Sequence, residues 1–445
     1  MQSRDNMSSK KPVLLATIVC GLASLFYLYE FILQVSPGVL TNELMHAFAI
    51  DAAGVGVISG FYYYSYTPMQ LPAGLLFDRF GPRLLITIAI LLCVAGALFF
   101  GMTTSAFLAS MGRFLMGIGS AFSFIGALLL ISRWFPPKQF ALLAGITQTM
   151  SSVGAIGGEA PLAAAVAHFG WRQSIVAVGV VGIVLALFVW LIVRDQPPWK
   201  QKGPSYSEKS SLKGLQHVIA KPQTWWVALY SFASWAPVLV FAVLWGIPFI
   251  AKIYNISTVL AATPMMMVWI GIGIGSPLIG WWSDHIGRRN LPLVFVQIFG
   301  LIAIIAILYM RIPFYVLYIL LFMMGIAASG QSLAFGVVKD INHPKCVGTA
   351  IGFNNMAVVA GGALLQPLAG LLLRFYWDGE MAHGVQVYSI SAYQHAMAVL
   401  PLLYVLTIIV GKWFIKETHC KDVHQNEDIH YDDNTVARVG ISSGS

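Results

Sequence analysis

The chain has 445 residues, of which 58% are hydrophobic and only 10% are charged, and its net charge is +8. A soluble protein has roughly 25% charged residues, so this composition excludes a set of soluble domains and indicates a polytopic membrane protein. In such a protein, basic loops on one side of the membrane explain a positive net charge, which then does not indicate a nucleic-acid partner.

Twelve windows along the chain are apolar enough to cross a bilayer as helices, which takes about 20 residues each. They lie at 13–37, 52–76, 84–104, 105–131, 139–168, 172–194, 223–251, 258–282, 291–310, 313–337, 346–374 and 393–416. The first window is longer than the apolar core of a signal peptide, so we expect it to remain as a span. Most lysines and arginines lie on one side if both termini are cytoplasmic, and this predicts that orientation.

The first window contains a carboxylate in the otherwise apolar stretch LFYLYEFILQV. Glu30 and Gln34 are one helical turn apart, and Tyr27 lies three residues before Glu30, so the three share a face. In the second window, FYYYSY supplies more hydroxyl-bearing rings, of which Tyr62 and Tyr66 are candidates for substrate contact. Because a charge in hydrocarbon is costly, an ionisable residue within a span is a functional-site hypothesis by default.

A pattern of glycine, aspartate and arginine occurs twice, after the second and after the eighth window. Residues 74–83 read GLLFDRFGPR and residues 280–289 read GWWSDHIGRR, so both have the form G-x-x-x-D-x-x-G-x-R. The same offset places Pro161 on Pro367. This internal repeat predicts two six-helix halves related by an axis along the membrane normal.

The fourth window contains a second motif, RFLMGIGSA, in which Arg113 is followed by spaced glycines. With these two motifs, the chain resembles the major facilitator superfamily of transporters over nearly its whole length. The resemblance implies that Arg113 takes part in proton transfer or in substrate binding, as the corresponding arginine does in proton-coupled members. The structural alternative is an arginine that extends to the membrane surface.

In this family, the loop pattern latches the two halves together on the cytoplasmic side when the carrier faces outward. The resemblance therefore implies a cytoplasmic gate. Its residues are Asp78, Arg79, Gly81 and Arg83 in the first copy, and Asp284, Gly287, Arg288 and Arg289 in the second. A basic loop that only fixes the membrane topology is the structural alternative.

The fifth window matches only half of a glycine and proline pattern that exporters of the family often carry. Gly145, Gly154 and Gly158 fit the glycine spacing, but Glu159 occupies the proline position. This departure weakens the interpretation as a drug or proton antiporter without excluding it. It also places another ionisable residue within a span.

Glu30, Arg113 and Glu159 are predicted at similar depths, roughly 10–14 Å from the outer ends of their helices at 1.5 Å per residue. We expect them to meet in one water-accessible chamber of the first half as a proton-coupling group, where the arginine offsets part of the cost of burying a carboxylate. Protonation of a carboxylate there would release Arg113 for an anionic group of the substrate. A static ion pair that only fixes helix packing is the alternative, but buried pairs stabilise poorly.

The central segment 195–222 is rich in Pro, Ser, Gly and Lys and is predicted to link a first bundle, 1–194, to a second, 223–418, which a tail at 419–445 follows. In the second bundle, uncharged candidates for substrate contact are Tyr230, Gln331, Asn354 and Asn355. Hydrogen bonds that pack helices together explain each of them equally well.

The tail contains histidines and aspartates, but their spacing fits no defined metal motif, and we predict no metal site. The sequence contains no nucleotide-binding loop and no catalytic constellation, so it predicts neither a cofactor nor an enzyme. The four cysteines are far apart and do not indicate a disulfide framework.

We therefore predict an all-α membrane protein with twelve transmembrane helices, a monomer in a bacterial inner membrane. Its expected function is proton-coupled symport that imports a small polar metabolite, such as an organic anion or an amino acid. Its expected partners are that substrate, protons and the lipid bilayer, and not nucleic acid. The main alternative is a proton-driven exporter of drugs or siderophore-like compounds. A receptor is disfavoured because no soluble sensor domain is evident.

Overall fold

The structure is a computed structural model that describes residues 2–197, 208–342, 346–382 and 384–421. The helices of the first half are α1 (Gln2–Val35), α2 (Thr41–Phe48), α3 (Ala52–Phe80), α4 (Pro82–Met102), α5 (Ala106–Ser120), α6 (Ser123–Trp134), α7 (Pro137–Gly157), α8 (Ala160–Phe169) and α9 (Trp171–Ile192). After α10 (Glu208–Ile219), those of the second half are α11 (Pro222–Pro237), α12 (Gly246–Tyr254), α13 (Thr258–Ile286), α14 (Asn290–Tyr309), α15 (Phe314–Ala328), α16 (Gly330–Ile341), α17 (Val347–Phe375), α18 (Ile390–Ala396) and α19 (Val399–Ile409).

Short elements complete these helices. A 3-10 turn, Ser36–Val39, follows α1, and π-helical stretches at Val238–Trp245 and Val410–Phe414 continue α11 and α19. Between α17 and α18 the chain forms a small antiparallel hairpin of β1 (Met381–Ala382) and β2 (Val385–Gln386).

Ten of the predicted windows coincide with helical segments of the described chain that are long and apolar enough to span a bilayer. The second window falls on α3, which together with α2 forms an eleventh candidate span bent by 108°. The bend has a local cause, because Ala49 ends α2 with a φ of 52° and the Asp51 side chain caps the first turn of α3. The predicted all-α membrane architecture is confirmed.

The two halves repeat some helix breaks and differ at another. The fourth span of the first half breaks between α5 and α6, and the corresponding span of the second half breaks between α15 and α16. The fifth window falls on α7 and α8, which Gly158 and Glu159 separate, whereas its counterpart α17 continues through Pro367. The first half therefore has an interrupted helix that the second half lacks.

The halves meet along two seams, one between α3 and α17 and one between α13 and the pair α7 and α8. The first seam is tight. A Cβ atom on Gly56 would lie 2.7 Å from the carbonyl oxygen of Gln366 and 3.0 Å from Cα of Pro367. Only glycine permits this approach of two helices.

Polar contacts also tie the halves together at the end of the molecule opposite the two repeat loops, which we call the closed end. Asp51 Oδ2 lies 3.2 Å from Arg374 Nε, and the backbone N–H of Ala52 donates a hydrogen bond of 2.9 Å to Tyr388 Oη. Asp51 and Ala52 begin α3, while Arg374 and Tyr388 flank the hairpin of the second half. We call the opposite end, with the repeat loops, the loop end.

The predicted linker 195–222 contains regular structure. Helix α10 packs beside the start of α17, where a Cβ atom on Gly214 would lie 3.5 Å from Thr349 Oγ1. Residues 198–207 lie outside the described residues.

Candidate functional site

Glu30 is fully buried on α1 and keeps unused hydrogen-bonding capacity. Its Oε1 accepts a 2.5 Å hydrogen bond from Tyr62 Oη on α3, whereas its Oε2 has no partner among the described residues. The Tyr62 ring stacks on the Tyr66 ring with centroids 5.6 Å apart. Because a carboxylate accepts several hydrogen bonds, Oε2 can take a proton or another donor.

Arg113 is also fully buried, and its guanidinium binds the end of α1. Nη1 donates to the carbonyl of Leu33 at 2.7 Å and Nη2 to the carbonyl of Gln34 at 3.4 Å. The Leu33 carbonyl has no backbone donor four positions ahead, because that residue is Pro37, which has no N–H. It accepts instead from the Ser36 hydroxyl at 2.9 Å and from Arg113. A cation at a helix C-terminus also complements the helix dipole. Arg113 therefore caps α1.

The expected ion pairs between Arg113 and the two glutamates are not formed. No salt bridge joins these three residues, although all three lie in the described chain. Arg113 and Glu30 are instead connected through Tyr62, whose ring lies 4.7 Å from the guanidinium carbon and whose hydroxyl binds the carboxylate. The reason is that backbone carbonyls, and not carboxylates, supply the acceptors for this arginine.

Glu159 lies at the interruption between α7 and α8. Its Oε1 accepts a 2.7 Å hydrogen bond from Trp269 Nε1 on α13, so this contact crosses between the halves, and its Oε2 has no partner among the described residues. The preceding Gly158 packs on Ile32 and Val35 of α1, the same turn that Arg113 caps from another side. Glu159 therefore lies near the same end of α1 as Arg113, and it is fully buried.

Aromatic rings connect the surroundings of the two glutamates. The Phe31 ring contacts the Tyr27 ring at 5.1 Å and the Trp269 ring at 5.7 Å, both edge to face. Tyr27 Oη also donates to Gln148 Oε1 at 3.5 Å. Both glutamates, Arg113, Tyr27, Tyr62 and Tyr66 are buried here. Gln34 is buried as well and contributes its backbone carbonyl to Arg113.

In the described part of the chain, no hydrogen bond or ion pair connects the predicted residues of the second half with Glu30, Arg113 or Glu159. Asn354 on α17 is buried, and neither atom of its side-chain amide has a partner among the described residues. Gln331 is buried at the start of α16, and Asn355 is half-buried. Tyr230 lies instead inside the second bundle, where it donates to the carbonyl of Leu293 and accepts from Gln297.

Sequence reasoning missed Trp269, the partner of Glu159. A signal was present, because tryptophans in membrane proteins concentrate at the bilayer surface whereas Trp269 lies in the middle of its window, in MMMVWIGIG. A tryptophan at this depth needs a partner for its indole N–H.

At the loop end, the predicted gate arginine of the first half binds groups of its own half. The backbone N–H of Arg83 donates to Asp195 Oδ1 at 2.9 Å, and its Nε donates to the carbonyl of Trp190 at 2.9 Å. Gly81 has a φ of 79°, which suits glycine at the start of α4. Asp195, which the sequence placed at the start of the linker, thus caps a helix of the first bundle.

The second half repeats this arrangement. Arg289 donates to Asp340 Oδ2 at 3.0 Å and to Asp284 Oδ1 at 2.8 Å. Glu417, which follows the last span, accepts from the backbone N–H groups of Arg289 and Asn290 at 2.8 and 3.0 Å. An acidic residue after the sixth span thus caps the third helix in both halves.

These contacts shift the pKa values of the charged groups. Partial burial alone would raise the pKa of Glu417, but its hydrogen bonds with the N–H groups of Arg289, Asn290 and His419 outweigh burial, so the pKa lies below its ordinary value. Burial would lower the pKa of Arg289, but its hydrogen bond and charge interaction with Asp340 outweigh this effect and raise the pKa.

The remaining gate residues contribute less to these contacts. The Arg79 guanidinium lies 5.2 Å from the Phe80 ring centroid, Arg288 is exposed, and Gly287 ends α13 with a φ of 62°. The side chain of Asp78 and the tail after residue 421 lie outside the described residues.

Comparison with known proteins identifies the family. The sequence profile of the Major Facilitator Superfamily matches residues 13–309 and 239–430. The chain belongs to the major facilitator superfamily. Among solved structures, it is similar to an inward-facing, unoccupied bacterial homolog of the human lysosomal transporter Spinster, with a TM-score of 0.72, 18% identity and coverage of 89% of this chain and 95% of the other. This likeness supports the fold.

Curated relatives within the superfamily agree on membrane transport or sensing. The membrane sensor protein UhpC of Escherichia coli is 24% identical over 88% of this chain and 91% of its own length. A probable hexose phosphate transport protein of Chlamydia trachomatis is 23% identical over 79% of this chain and 84% of its own. The hexuronate transporter of Bacillus subtilis is 24% identical over 63% and 66%. The chain is thus a multi-pass secondary transporter of a small molecule, from a family of transporters and not of enzymes.

Proposed function

We propose that this transporter is a proton-coupled symporter that imports a small polar metabolite, such as an organic anion or an amino acid, by alternating access. The observation that carries the proposal is Glu30. Its carboxylate is fully buried in a span, has one donor in Tyr62, and has an oxygen free to bind a proton. An ionised carboxylate in this position is costly, so proton uptake there can favour one conformation of the carrier.

The contact between Glu30 and Tyr62 suits this role because it connects two helices that face the other half. Helix α3 also forms the tight seam with α17, so a weaker hydrogen bond from Tyr62 to Glu30 after proton uptake would act on that seam. Arg113 is close enough to the Tyr62 ring to respond to the same change. We further propose that the loop end faces the cytoplasm, with both termini on that side of a bacterial inner membrane.

We expect the change Glu30→Gln to abolish proton-driven accumulation and to spare exchange of substrate across the membrane. Glutamine keeps the acceptor for Tyr62 but carries no titratable proton. The measurement is uptake into proteoliposomes with an imposed inside-alkaline gradient, compared with counterflow of labelled substrate without a gradient. Glu380→Gln, which removes an exposed carboxylate outside the spans, is the control and should behave as the wild type. Normal gradient-driven accumulation by Glu30→Gln would contradict the proposal.

The same assay tests the alternative of a proton-driven exporter. Gly154 and Gly158 of the half-matched exporter pattern both pack against α1, so their spacing has a packing explanation in this structure. An exporter would move substrate out of the vesicles against its gradient when protons enter, and an importer would bring substrate and protons in together.

A further inference from the structure

We propose that the interruption of the fifth span is a binding site for a protonated amino group of the substrate. The site consists of the Glu159 carboxylate, the end of α7 at Gly157 and the Trp269 ring, and we call it the broken-helix site. The inference rests on the proposed function in that it assumes a transported substrate. It narrows the class of that substrate to amines and amino acids.

The first argument concerns which buried charged side chains have atoms without a partner that could bind a substrate. Among the described residues, four charged side chains are buried: Glu30, Arg113, Glu159 and Asp340. Asp340 pairs with Arg289 at the loop end, and Arg113 is bound to backbone carbonyls of α1. Among the described residues, the one buried cation thus has its Nη1 and Nη2 bound and its Nε without a partner, and two carboxylates in the core each lack a partner for one oxygen.

The second argument is the interruption itself. Pro161 has no N–H, so the carbonyl of Gly157 loses its intrahelical partner, whereas the carbonyls of Gly154, Ala155 and Ile156 accept from the N–H groups of Gly158 and Glu159. The C-terminal end of α7 favours a cation, whereas the N-terminal end of α8, for which Glu159 is the N-cap, favours an anion. The preference of the site for a cation is therefore due to the Glu159 carboxylate. In other transporters, ends of discontinuous helices at this depth hold substrate groups or ions. The repeat-related helix α17 is continuous, so this feature is specific to the first half.

The third argument is the aromatic wall. Trp269 donates its indole N–H to Glu159 Oε1, which fixes the carboxylate and leaves Oε2 free, and its ring meets the Phe31 ring edge to face. An ammonium group at Oε2 would meet a carboxylate and aromatic rings, the combination that binds organic cations.

The site also disfavours a phosphate ester. Two relatives are named for hexose phosphate and hexuronate, which are anionic, but in this chain an anion would approach two carboxylates. The nearby Arg113 has its Nη1 and Nη2 bound to backbone carbonyls of α1, and only its Nε has no partner among the described residues. A molecule with an amino group fits better, because its ammonium can bind at the Oε2 of Glu159, which has no partner among the described residues.

The test uses the purified full-length protein and matched sets of small molecules. Each set contains an L-amino acid, the same molecule without its amino group and the same molecule without its carboxylate, for example phenylalanine, 3-phenylpropionate and 2-phenylethylamine. We expect amino-bearing members of at least one set to raise the midpoint of thermal unfolding by about 2 °C or more at saturation, and the deaminated acids to have no effect. This comparison within the wild type requires no variant.

The variant Glu159→Gln should lose this stabilisation, with affinity reduced by roughly 30-fold or more, because the charge partner of the ammonium is gone. Glutamine retains an acceptor for Trp269, so the unliganded protein should remain folded. Glu380→Gln, outside the spans, should respond as the wild type. Equal stabilisation by deaminated acids, no response to any amine, or undiminished amine binding by Glu159→Gln would each overturn the proposal.

The outcome is independent of proton coupling, because binding is measured without a gradient. A protein that binds amines through Glu159 but shows no proton-driven uptake would refute only the proposed symport. Proton-driven uptake of an organic acid with no amine binding would refute only the broken-helix site.

Discussion

At the level of single residues, the hydrogen-bond acceptors of Arg113 could not be predicted from the sequence. Glu30, Arg113 and Glu159 are all buried, and their opposite charges suggested ion pairs. The acceptors that the arginine uses are backbone carbonyls of Leu33 and Gln34, which every residue possesses and no motif marks. The visible clue was Pro37, since a proline at the end of a span leaves the carbonyl one turn earlier without its backbone donor.

Replacement of Arg113 by lysine should therefore destabilise the protein by about 2 kcal/mol, because a lysine cannot donate to both carbonyls in the same geometry. The free energy of unfolding in detergent is the measurement. In a Pro37→Ala background the backbone regains an N–H, so the Arg113→Lys change should cost about 1 kcal/mol less. Strict additivity of the two changes would show that Arg113 does not act as the cap.

At the element scale, helix ends account for much of what holds the loop end together. Asp195 and Glu417 both follow the sixth span of their half and both accept from the first backbone N–H groups of the third. The repeat in the sequence predicted the paired loops of Arg83 and Arg289. It could not predict these caps, because the two acids lie outside the repeated pattern and at positions assigned to the linker and to the end of the bundle.

Glu417→Gln should lower the free energy of unfolding at pH 7 by about 1 kcal/mol, because an uncharged amide caps a helix less well than a carboxylate. The pKa of Glu417 is lowered in the folded protein, so its contribution is complete above the ordinary value of 4.5 and disappears as the pH falls through the lowered value. The unfolding midpoints of the variant and the wild type should therefore differ at pH 7 and become equal below pH 4. The exposed pair of Glu380 and Lys252 provides the comparison, and Glu380→Gln should change little at either pH.

At the scale of the whole molecule, hydropathy and the internal repeat were sufficient to predict the all-α membrane fold. Apolar windows predict spans because backbone groups in a bilayer must be satisfied within a helix. The same reasoning could not predict which conformation the two halves adopt. That choice depends on small differences in packing free energy between the seams. It also treated the fifth window as one helix, although Gly158 and Glu159 separate α7 from α8 there.

The tight seam offers a way to shift the conformation. Gly56→Ala places a methyl group against the backbone of α17, and overpacking of this kind costs about 1–3 kcal/mol, so the closed end should open in a larger fraction of molecules. Spin labels on the exposed residues Asn42 and Asn255, at the closed end of opposite halves, should report longer distances. Gly74→Ala is the matched control, because nothing lies within 4 Å of its Cβ position. Unchanged distances in Gly56→Ala would show that this seam does not hold the end shut.

The hydrogen bond between Ala52 and Tyr388 has a consequence for the path of water. The N–H of Ala52 belongs to the first turn of α3, where no carbonyl of the same helix can reach it, and its acceptor is a phenol from the other half. When the halves separate, the Ala52 N–H loses the Tyr388 hydroxyl as its acceptor. Only water can replace that acceptor without a cost in free energy. Water therefore enters the closed end at the same time as the two halves separate there. An intermediate in which the halves have separated but the closed end remains dry is unfavourable.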